Sequence, residues 1–227
     1  GFIGTVGAYS PPQFSVSIQN NSKWATPVLQ DRSDTTRKSL PGAGICVTHG
    51  AMYESSSGYN LTLGRLPPGD AGTRKTLAIM QQLARAGALN RIVRETAIDV
   101  IRNAGTAPHD TPGELAALFA FVRDRVRFTG DIVGVETLQA PHYTLRVMAG
   151  DCDDRAVLLV ALARSVGIQS SLKFRVIAAN PNRPGTYSHV YVVANVRGKD
   201  FALDPTYPSS RMGWQHPSPS RIGDFPA

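Results

Sequence analysis

A segment near the middle of the chain, residues 151–167, predicts a helix that is apolar on almost every side. Asp151 can cap its first turn, Asp154 follows three residues later, and Gly167 ends it. Its apolar surface consists of Ala156, Val157, Leu159, Val160 and Ala163. A helix that is apolar all round must be covered on all sides, so this one is expected to be central and buried.

Strand-like segments follow this helix and predict an antiparallel sheet. They are Leu172–Ala178, His189–Val196 and Phe201–Leu203. Their connections, residues 180–185 and 197–199, contain the Gly, Pro and Asn residues that favour turns. The sequence therefore predicts an α+β fold in which the helix that bears the cysteine packs on an antiparallel sheet.

Helical periodicity also precedes the central helix. Apolar residues recur at helical spacing from Thr73 to Asn103, which predicts two helices or one kinked helix. A second start signal, Thr111 as N-cap with Pro112 at the first helical position, predicts a helix that runs to Val126.

The stretch from Phe128 to Ala149 is expected to be a long connecting loop. Gly130, Gly134 and Pro141 break any regular period within it. Loops of this length often line functional sites, so this segment is expected to approach the start of the central helix.

The composition changes near residue 73 and again near residue 208. Residues 1–72 are rich in Ser, Gly, Pro, Asn and Thr, although Phe14–Ile18 and Tyr59–Leu63 alternate as strands do. We expect an irregular, β-rich N-terminal arm that packs on the main domain or on other subunits of an assembly. Residues 73–207 form the predicted main domain, and residues 208–227 form a predicted extended C-terminal tail.

The net charge of +7 is spread thinly along the chain. A nucleic-acid binder usually gathers its basic side chains into a stripe, and the nearest such group is Arg123, Arg125 and Arg127. We therefore expect no nucleic-acid partner. No apolar run approaches the roughly 20 residues of a membrane helix, and the first residues lack a signal-peptide pattern, which predicts no membrane span and synthesis in the cytoplasm.

The chain has two cysteines, Cys46 and Cys152, which exclude a disulfide framework and a four-cysteine zinc site. Any thiol chemistry must therefore rest on one residue. Cys46, between two β-branched residues, is expected to be a buried strand thiol. Cys152 lies in the first turn of the central helix, where the positive helix end favours a thiolate. The plainer interpretation of Cys152 is a small buried hydrophobic residue.

Two downstream residues can complete a nucleophilic site around Cys152. His189 opens one predicted strand and Asp204 follows another, so both can lie at one end of the sheet beside the helix terminus. The imidazole can then act as general base and later as acid, while the carboxylate fixes its tautomer.

Sequence motifs give this arrangement a family resemblance. The runs 149–156 (AGDCDDRA), 187–191 (YSHVY) and 203–206 (LDPT) resemble the three catalytic motifs of the transglutaminase-like superfamily, in the same order. Residues 135–141 are similar to the segment before the cysteine motif in microbial and tailed-phage members. The resemblance covers residues 110 to 207 and is fairly specific, because three ordered motifs each fall on the expected type of element.

The resemblance implies a papain-like α+β fold with Cys152 as nucleophile, His189 as base and Asp204 as the acid that orients it. One position departs from the pattern of crosslinking transglutaminases, which typically have tryptophan directly after the nucleophile, whereas this chain has Asp153. The match is therefore closer to the microbial peptidase-like branch, in which water rather than an amine resolves the acyl-enzyme.

Acidic residues surround the cysteine in the sequence: Asp151, Asp153 and Asp154. They suit the positive end of a helix but repel a thiolate, so an imidazolium at position 189 must outweigh them. A divalent ion is the alternative, yet three nearly consecutive side chains point in different directions on a helix turn. We therefore predict capping and solvation, with no metal and no cofactor.

The oxyanion is expected to be held by the Cys152 N–H and by a second donor from the preceding loop. Gln139 is the candidate donor, and an exposed loop amide is its alternative role. Surface or structural roles are predicted for the other histidines, which are His49, His109, His142 and His216, although His142 can line the loop near the site. Packing is predicted to be the main use of Trp24, Tyr187, Tyr191 and Trp214.

Two classes of function follow. The first is a cysteine hydrolase, a peptidase or amidase that works through a thioacyl-enzyme on protein, peptide or peptidoglycan substrates. The second is a phage virion or tail structural protein that uses the fold for assembly and has a vestigial site. An intact triad favours the first, and a virion-associated enzyme would combine both. The substrate, the choice between hydrolysis and amine transfer, and the oligomeric state stay open.

Overall fold

The computed structural model describes residues 13–20, 52–54, 59–131, 135–168 and 172–227. Its helices are α1 (Asp70–Ala88), α2 (Arg91–Asn103), α3 (Thr111–Arg125), α4 (Pro141–Val147) and α5 (Cys152–Ser165). Its strands are β1 (Gln13–Asn20), β2 (Met52–Glu54), β3 (Tyr59–Leu66), β4 (Arg127–Phe128), β5 (Val135–Gln139), β6 (Ala149–Gly150), β7 (Leu172–Ile177), β8 (His189–Val196), β9 (Lys199–Leu203) and β10 (Ile222–Pro226). The fold is α+β, as the sequence predicts. Among the helices in these ranges, none has the length and apolarity needed to cross a membrane.

Helix α5 lies at the centre of the fold. All of its residues except Cys152 and Arg164 are buried. It packs against α1, α2, α3 and α4, and against strand β8. Each fully buried Val or Leu on it contributes about 1.5–3 kcal/mol of hydrophobic stabilisation. The prediction of a central, buried helix that packs on a sheet is confirmed.

The central sheet is antiparallel, with strand order β10-β7-β8-β9. A hairpin joins β8 to β9 through Arg197 and Gly198, whose φ angles of 53° and 83° are those of a tight two-residue turn. His189 begins β8 and Asp204 follows the end of β9, so the hairpin brings both to the same end of the sheet. The sequence predicts this arrangement correctly.

The helices before the sheet match the predicted ones with small shifts at their starts. α1 begins at Asp70, and α1 and α2 are separate helices. Asn90 separates them and caps α2 by accepting a hydrogen bond of 2.9 Å from the N–H of Ile92. The N-cap of α3 is Asp110, and the predicted cap, Thr111, is the first helical residue. Asp and Thr are both common N-cap residues, so the sequence signal does not choose between neighbours.

The segment from Phe128 to Ala149 is not the long loop that the sequence predicts. Within the described part of this segment lie β5, α4 and the start of β6. Pro141 occupies the first turn of α4, where a proline is tolerated because its missing N–H has no intrahelical partner. Met148 ends the same helix in a left-handed conformation, with φ of 50°. Pro141 and Met148 therefore mark the two ends of a short helix. Gly134 lies outside the described residues.

Strands from the N-terminal region form a second sheet with β5. β1 and β3 coincide with the two segments whose alternation predicts strands. β1 pairs antiparallel with β3 and parallel with β5, in the order β2-β3-β1-β5. The N-terminal strands therefore adjoin the segment that leads to Cys152. The predictions for Trp24, Cys46 and His49 fall outside the described residues.

The C-terminal residues differ from the extended tail predicted for 208–227. Residues 222–226 form β10, which pairs with β7 at the edge of the central sheet. Arg175 of β7 donates hydrogen bonds of 2.6 and 2.7 Å to Asp224 of β10, and Ala227 is buried. The sequence of β10, IGDFP, has little strand propensity because it contains Gly and Pro, so its partner strand determines its conformation.

Candidate active site

The first turn of α5 is held by a capping box. Oδ1 of Asp151 accepts hydrogen bonds from the backbone N–H groups of Asp153 at 3.0 Å and Asp154 at 3.2 Å. In return, the Asp154 carboxylate accepts from the N–H of Asp151 at 3.4 Å. The predicted cap is confirmed, and it fixes Cys152 as the first helical residue.

Asp154 also ties this helix to the end of β5. Its Oδ1 accepts a hydrogen bond of 2.7 Å from the backbone N–H of Gln139. Gly150 leaves room for the Asp154 side chain, because a Cβ at position 150 would lie 2.6 Å from the Asp154 Cβ. Burial raises the pKa of Asp154 to about 7, although its two backbone hydrogen bonds act in the opposite direction. β5, β6 and the start of α5 are thereby held together.

His189 and Asp204 form a buried pair. Nε2 of His189 lies 2.7 Å from Oδ2 of Asp204. The Asp204 residue is 1% exposed, and its other oxygen accepts a hydrogen bond of 3.1 Å from the N–H of Thr206. A histidine that donates from Nε2 to a carboxylate keeps Nδ1 for a second partner.

The thiol of Cys152 is half-buried between β8 and the acidic residues of α5. Burial raises its pKa well above the usual value, and the negative charges of Asp153 and Asp151 raise it further. A hydrogen bond with the backbone of Val190 acts in the opposite direction. Val190 directly follows His189, so the sulfur lies beside the strand that carries the imidazole.

The direction of this pKa shift corrects the prediction made from helix position alone. The positive end of α5 favours a thiolate, but burial and two nearby acids outweigh it. The Cys152 Sγ also donates a hydrogen bond of 3.3 Å to Oδ1 of Asp153. The thiol therefore needs a base to take its proton.

A cluster of carboxyl groups lies beside the thiol; we call it the acid cluster, and it comprises Asp131, Glu136, Asp151, Asp153 and Asp154. Burial raises the pKa of Asp153 well above the usual value, and a side-chain hydrogen bond with Glu136 raises it further. Burial likewise raises the pKa of Asp151 to about 8, with help from the charges of Asp154 and Asp131. Part of the acid cluster is therefore protonated at neutral pH.

Three neighbouring residues of α5 and its cap could hold a cation. Asp151, Cys152 and Asp153 each offer one ligand atom, and these atoms lie within 4.8 Å of one another. The capping box already uses the Asp151 carboxylate. The absence of a metal stays a prediction.

Arg155 connects α5 to the turn that carries Asp204. It is 4% exposed, and Nη1 donates a hydrogen bond of 2.7 Å to the carbonyl of Pro205. Nη2 donates to the carbonyl of Val126 at the end of α3. Because Pro205 directly follows Asp204, Arg155 fixes the position of the carboxylate relative to the cysteine helix.

Gln139 lies at the end of β5, beside the first turn of α5. Its backbone N–H is engaged by Asp154, and its side-chain Oε1 accepts a hydrogen bond of 3.4 Å from the Thr144 hydroxyl on α4. Gln139 is therefore close to the predicted nucleophile, and its role as an oxyanion donor stays a prediction. His142, also on α4, is half-buried, and burial lowers its pKa.

Three residues near the site were not singled out by sequence reasoning. Arg155 has a usable signal, because a cation inside an apolar helix needs buried acceptors. Tyr207 also has a sequence signal, because it follows Asp204 by only three residues. In the structure its ring contacts His189. Glu136 has no local signal, because its contact with Asp153 depends on how β5 packs.

Comparisons with known proteins complete the description of the site. A family model described as the transglutaminase-like superfamily matches residues 98–216, which include Cys152, His189 and Asp204. No curated protein matches the sequence. A solved structure of a candidate protease from Parabacteroides distasonis has 14% identity and a TM-score of 0.45, and the match covers 88% of this chain and 38% of that one. The chain thus spans well under half the length of that protein.

Further solved structures have comparable scores. Legionella pneumophila LapG has 15% identity and a TM-score of 0.43, and the match covers 62% of this chain and 78% of LapG. A candidate cysteine protease from Cytophaga hutchinsonii has 13% identity and a TM-score of 0.38, with 76% of this chain and 65% of that one covered.

Proposed function

The chain belongs to the transglutaminase-like superfamily, and from this we propose that it is a cysteine hydrolase of peptide or isopeptide amides. Cys152 is the nucleophile, His189 the general base and acid, and Asp204 the group that orients His189. The observation that carries this proposal is the hydrogen bond between Nε2 of His189 and the buried Asp204. His189 lies on β8, and the backbone of the next residue, Val190, forms a hydrogen bond with the Cys152 sulfur.

In the first half of the reaction, Nδ1 of His189 takes the Cys152 proton, and the sulfur attacks the carbonyl carbon of the substrate amide. The carbonyl oxygen becomes an oxyanion, for which the backbone N–H of Cys152 is the proposed first donor, because the next two N–H groups of the turn already bond to the Asp151 carboxylate. Gln139 is the proposed second donor. The C–N bond then breaks, His189 gives its proton to the leaving amine, and a thioester on Cys152 remains.

In the second half, water resolves the thioester. His189 takes a proton from the water molecule, the resulting hydroxyl attacks the thioester carbon, and the C–S bond breaks. The sulfur recovers a proton from His189, and a carboxylic acid leaves. Asp204 stabilises the imidazolium in both halves without accepting its proton.

Water rather than an amine is the proposed acceptor because of the residue after the nucleophile. Asp153 is buried, accepts a hydrogen bond from the Cys152 thiol and bonds to Glu136. This carboxyl group places polar atoms beside the thiol, where crosslinking transglutaminases typically have an aromatic side chain, and we expect it to disfavour binding of a lysine stem on this side.

Amide-bearing and glutamine-bearing peptides, incubated with a labelled primary amine, test the proposed reaction. We expect free acid to exceed amine-labelled product at modest amine concentration, as measured by mass spectrometry. Cys152→Ser is the matched control and should form neither product. Dominant amine incorporation would instead assign a crosslinking reaction to the same thioester.

An assembly role for residues 1–72, including incorporation in a phage virion, is a separate hypothesis that rests on their composition and on the resemblance to tailed-phage members. A peptidoglycan substrate is likewise a separate hypothesis. The alternative of a structural protein with a vestigial site is disfavoured by the buried His189–Asp204 pair, because burying two ionisable side chains costs stability that a purely structural role does not require.

A further inference from the structure

The imidazole of His189 contacts two tyrosine rings. Tyr191, two residues further along β8, has its ring centroid 5.9 Å away with the planes at 35°. Tyr207, which follows the Asp204 turn, has its centroid 5.8 Å away at 74°, an edge-on contact. Tyr191 is 2% exposed, whereas Tyr207 is half-exposed. Tyr191 therefore contacts the imidazole from the core, and Tyr207 contacts it from the solvent side.

Tyr207 is also close to the other two members of the proposed triad. Burial raises the pKa of its hydroxyl, and the nearby groups of Asp204 and Cys152 raise it further. The Asp204 residue is fully buried, and the His189 side chain is only 8% exposed. Tyr207 is more exposed than Asp204, and its ring contacts that of His189.

The backbone around Tyr207 is fixed by a buried serine. The Ser210 hydroxyl lies 2.6 Å from the carbonyl oxygen of Asp204 and 2.7 Å from that of Tyr207. The Ser210 N–H donates to the same Tyr207 carbonyl at 3.0 Å. Arg123 of α3 donates to the Ser210 carbonyl at 2.5 Å. The turn that places Tyr207 is therefore preformed.

A second layer of aromatic rings supports Tyr207 from outside. The Trp214 ring lies 5.0 Å from the Tyr207 ring, and the His216 ring lies 6.0 Å from it. The N–H of Gly213 donates a hydrogen bond of 2.7 Å to the carbonyl of Ala202 on β9. This bond attaches the segment that carries Trp214 to the same hairpin that carries His189.

We infer that Tyr207 is a positioning residue, whose ring fixes the orientation of the His189 imidazole and keeps water from its hydrogen bond with Asp204. An edge-to-face contact restricts rotation of the imidazole, and a hydrogen bond is stronger where water is excluded. The inference rests on the proposed function, in which Nδ1 of His189 must stay directed at Cys152. It adds a residue outside the three sequence motifs to the machinery that orients the base.

Two measurements on the 227-residue chain test this role. The first is the rate at which the Nε2 proton of His189 exchanges with water, followed by proton NMR of the imidazole signals. The second is the rate of Cys152 alkylation by iodoacetamide. For Tyr207→Ala we expect at least about tenfold faster proton exchange and about tenfold slower alkylation. Tyr207→Phe keeps the ring and should retain both wild-type rates.

Trp214→Ala is the graded control, since it removes the ring behind Tyr207 and should give a smaller change than Tyr207→Ala. Urea unfolding of each variant separates local effects from loss of the fold. Wild-type behaviour of Tyr207→Ala in both measurements would overturn the inference, as would equal effects of the Phe and Ala substitutions. If wild-type Cys152 is unreactive but proton exchange still depends on the Tyr207 ring, the proposed function fails while the positioning role stands.

Discussion

Replacing His189 with alanine should lower the rate of amide hydrolysis by about 10²–10⁴-fold, the range that a positioned general base contributes. The expected effect is large because the Cys152 thiol cannot lose its proton unaided. Burial, the largest cause, raises its pKa well above the usual value, so the proposed reaction needs His189 to take the proton. Initial rates on any peptide that the wild-type chain cleaves provide the measurement.

His109→Asn is the matched control for this substitution. His109 is exposed, and its φ of 62° is one that asparagine tolerates well. The control should retain the wild-type rate within about twofold, since exposed positions rarely affect distant chemistry. A His189→Ala variant that hydrolyses peptides at the wild-type rate would exclude His189 as the base.

The second large effect is a loss of stability as the pH rises from 5 to 7.5. Burial raises the pKa values of Asp151 and Asp154 to about 8 and about 7, and that of Asp153 lies well above its usual value. The unfolded chain has already released most of these protons at pH 5, because the ordinary pKa of Asp is 3.8, whereas the folded chain retains part of them up to pH 7.5. The folded state then binds more protons, so the free energy of unfolding falls with increasing pH.

One carboxyl group that stays protonated over this window contributes a loss of about 3 kcal/mol. Acids whose pKa is lowered by ion pairs, such as Asp224 beside Arg175, change the free energy of unfolding below this pH window, because they ionise at lower pH. His142, whose pKa is lowered by burial, opposes the trend near pH 6. The acid cluster should dominate the pH dependence of the free energy of unfolding, because several of its carboxyl groups have raised pKa values.

Urea unfolding of the wild-type chain and of Asp153→Asn at pH 5 and pH 7.5 measures this effect. Asparagine resembles the protonated acid and does not titrate, so the variant should lose less stability over the window than the wild type. Equal slopes for the two chains, or wild-type stability that rises with pH, would show that Asp153 is ionised in the folded state.

The sequence predicts the centre of the fold and of the site well because both depend on local signals. The apolar pattern of α5 fixes its burial, Asp151 and Asp154 form the predicted capping box, and a short turn sets the register that brings His189 to Asp204. These features depend on residues close together in the chain. The same local reasoning correctly separates the strands of the hairpin.

Features that depend on packing between distant segments were not predicted. Pro141 supports the prediction of a loop from sequence, yet in the structure it begins a short helix that packs against α5. β10 depends on its partner β7. The direction of the Cys152 pKa shift was also wrong, because the desolvation of the thiol is a property of the assembled core.

Trapping of the acyl group tests the central claim, thioester formation at Cys152, most directly. A peptide substrate mixed with the chain and quenched in acid within seconds should leave an adduct of the acyl mass, and peptide mapping should place it on Cys152 and not on Cys46. Iodoacetamide applied beforehand should modify Cys152 well before Cys46 and abolish the adduct. Equal alkylation of the two cysteines, with no acyl adduct from any substrate that is cleaved, would contradict the account.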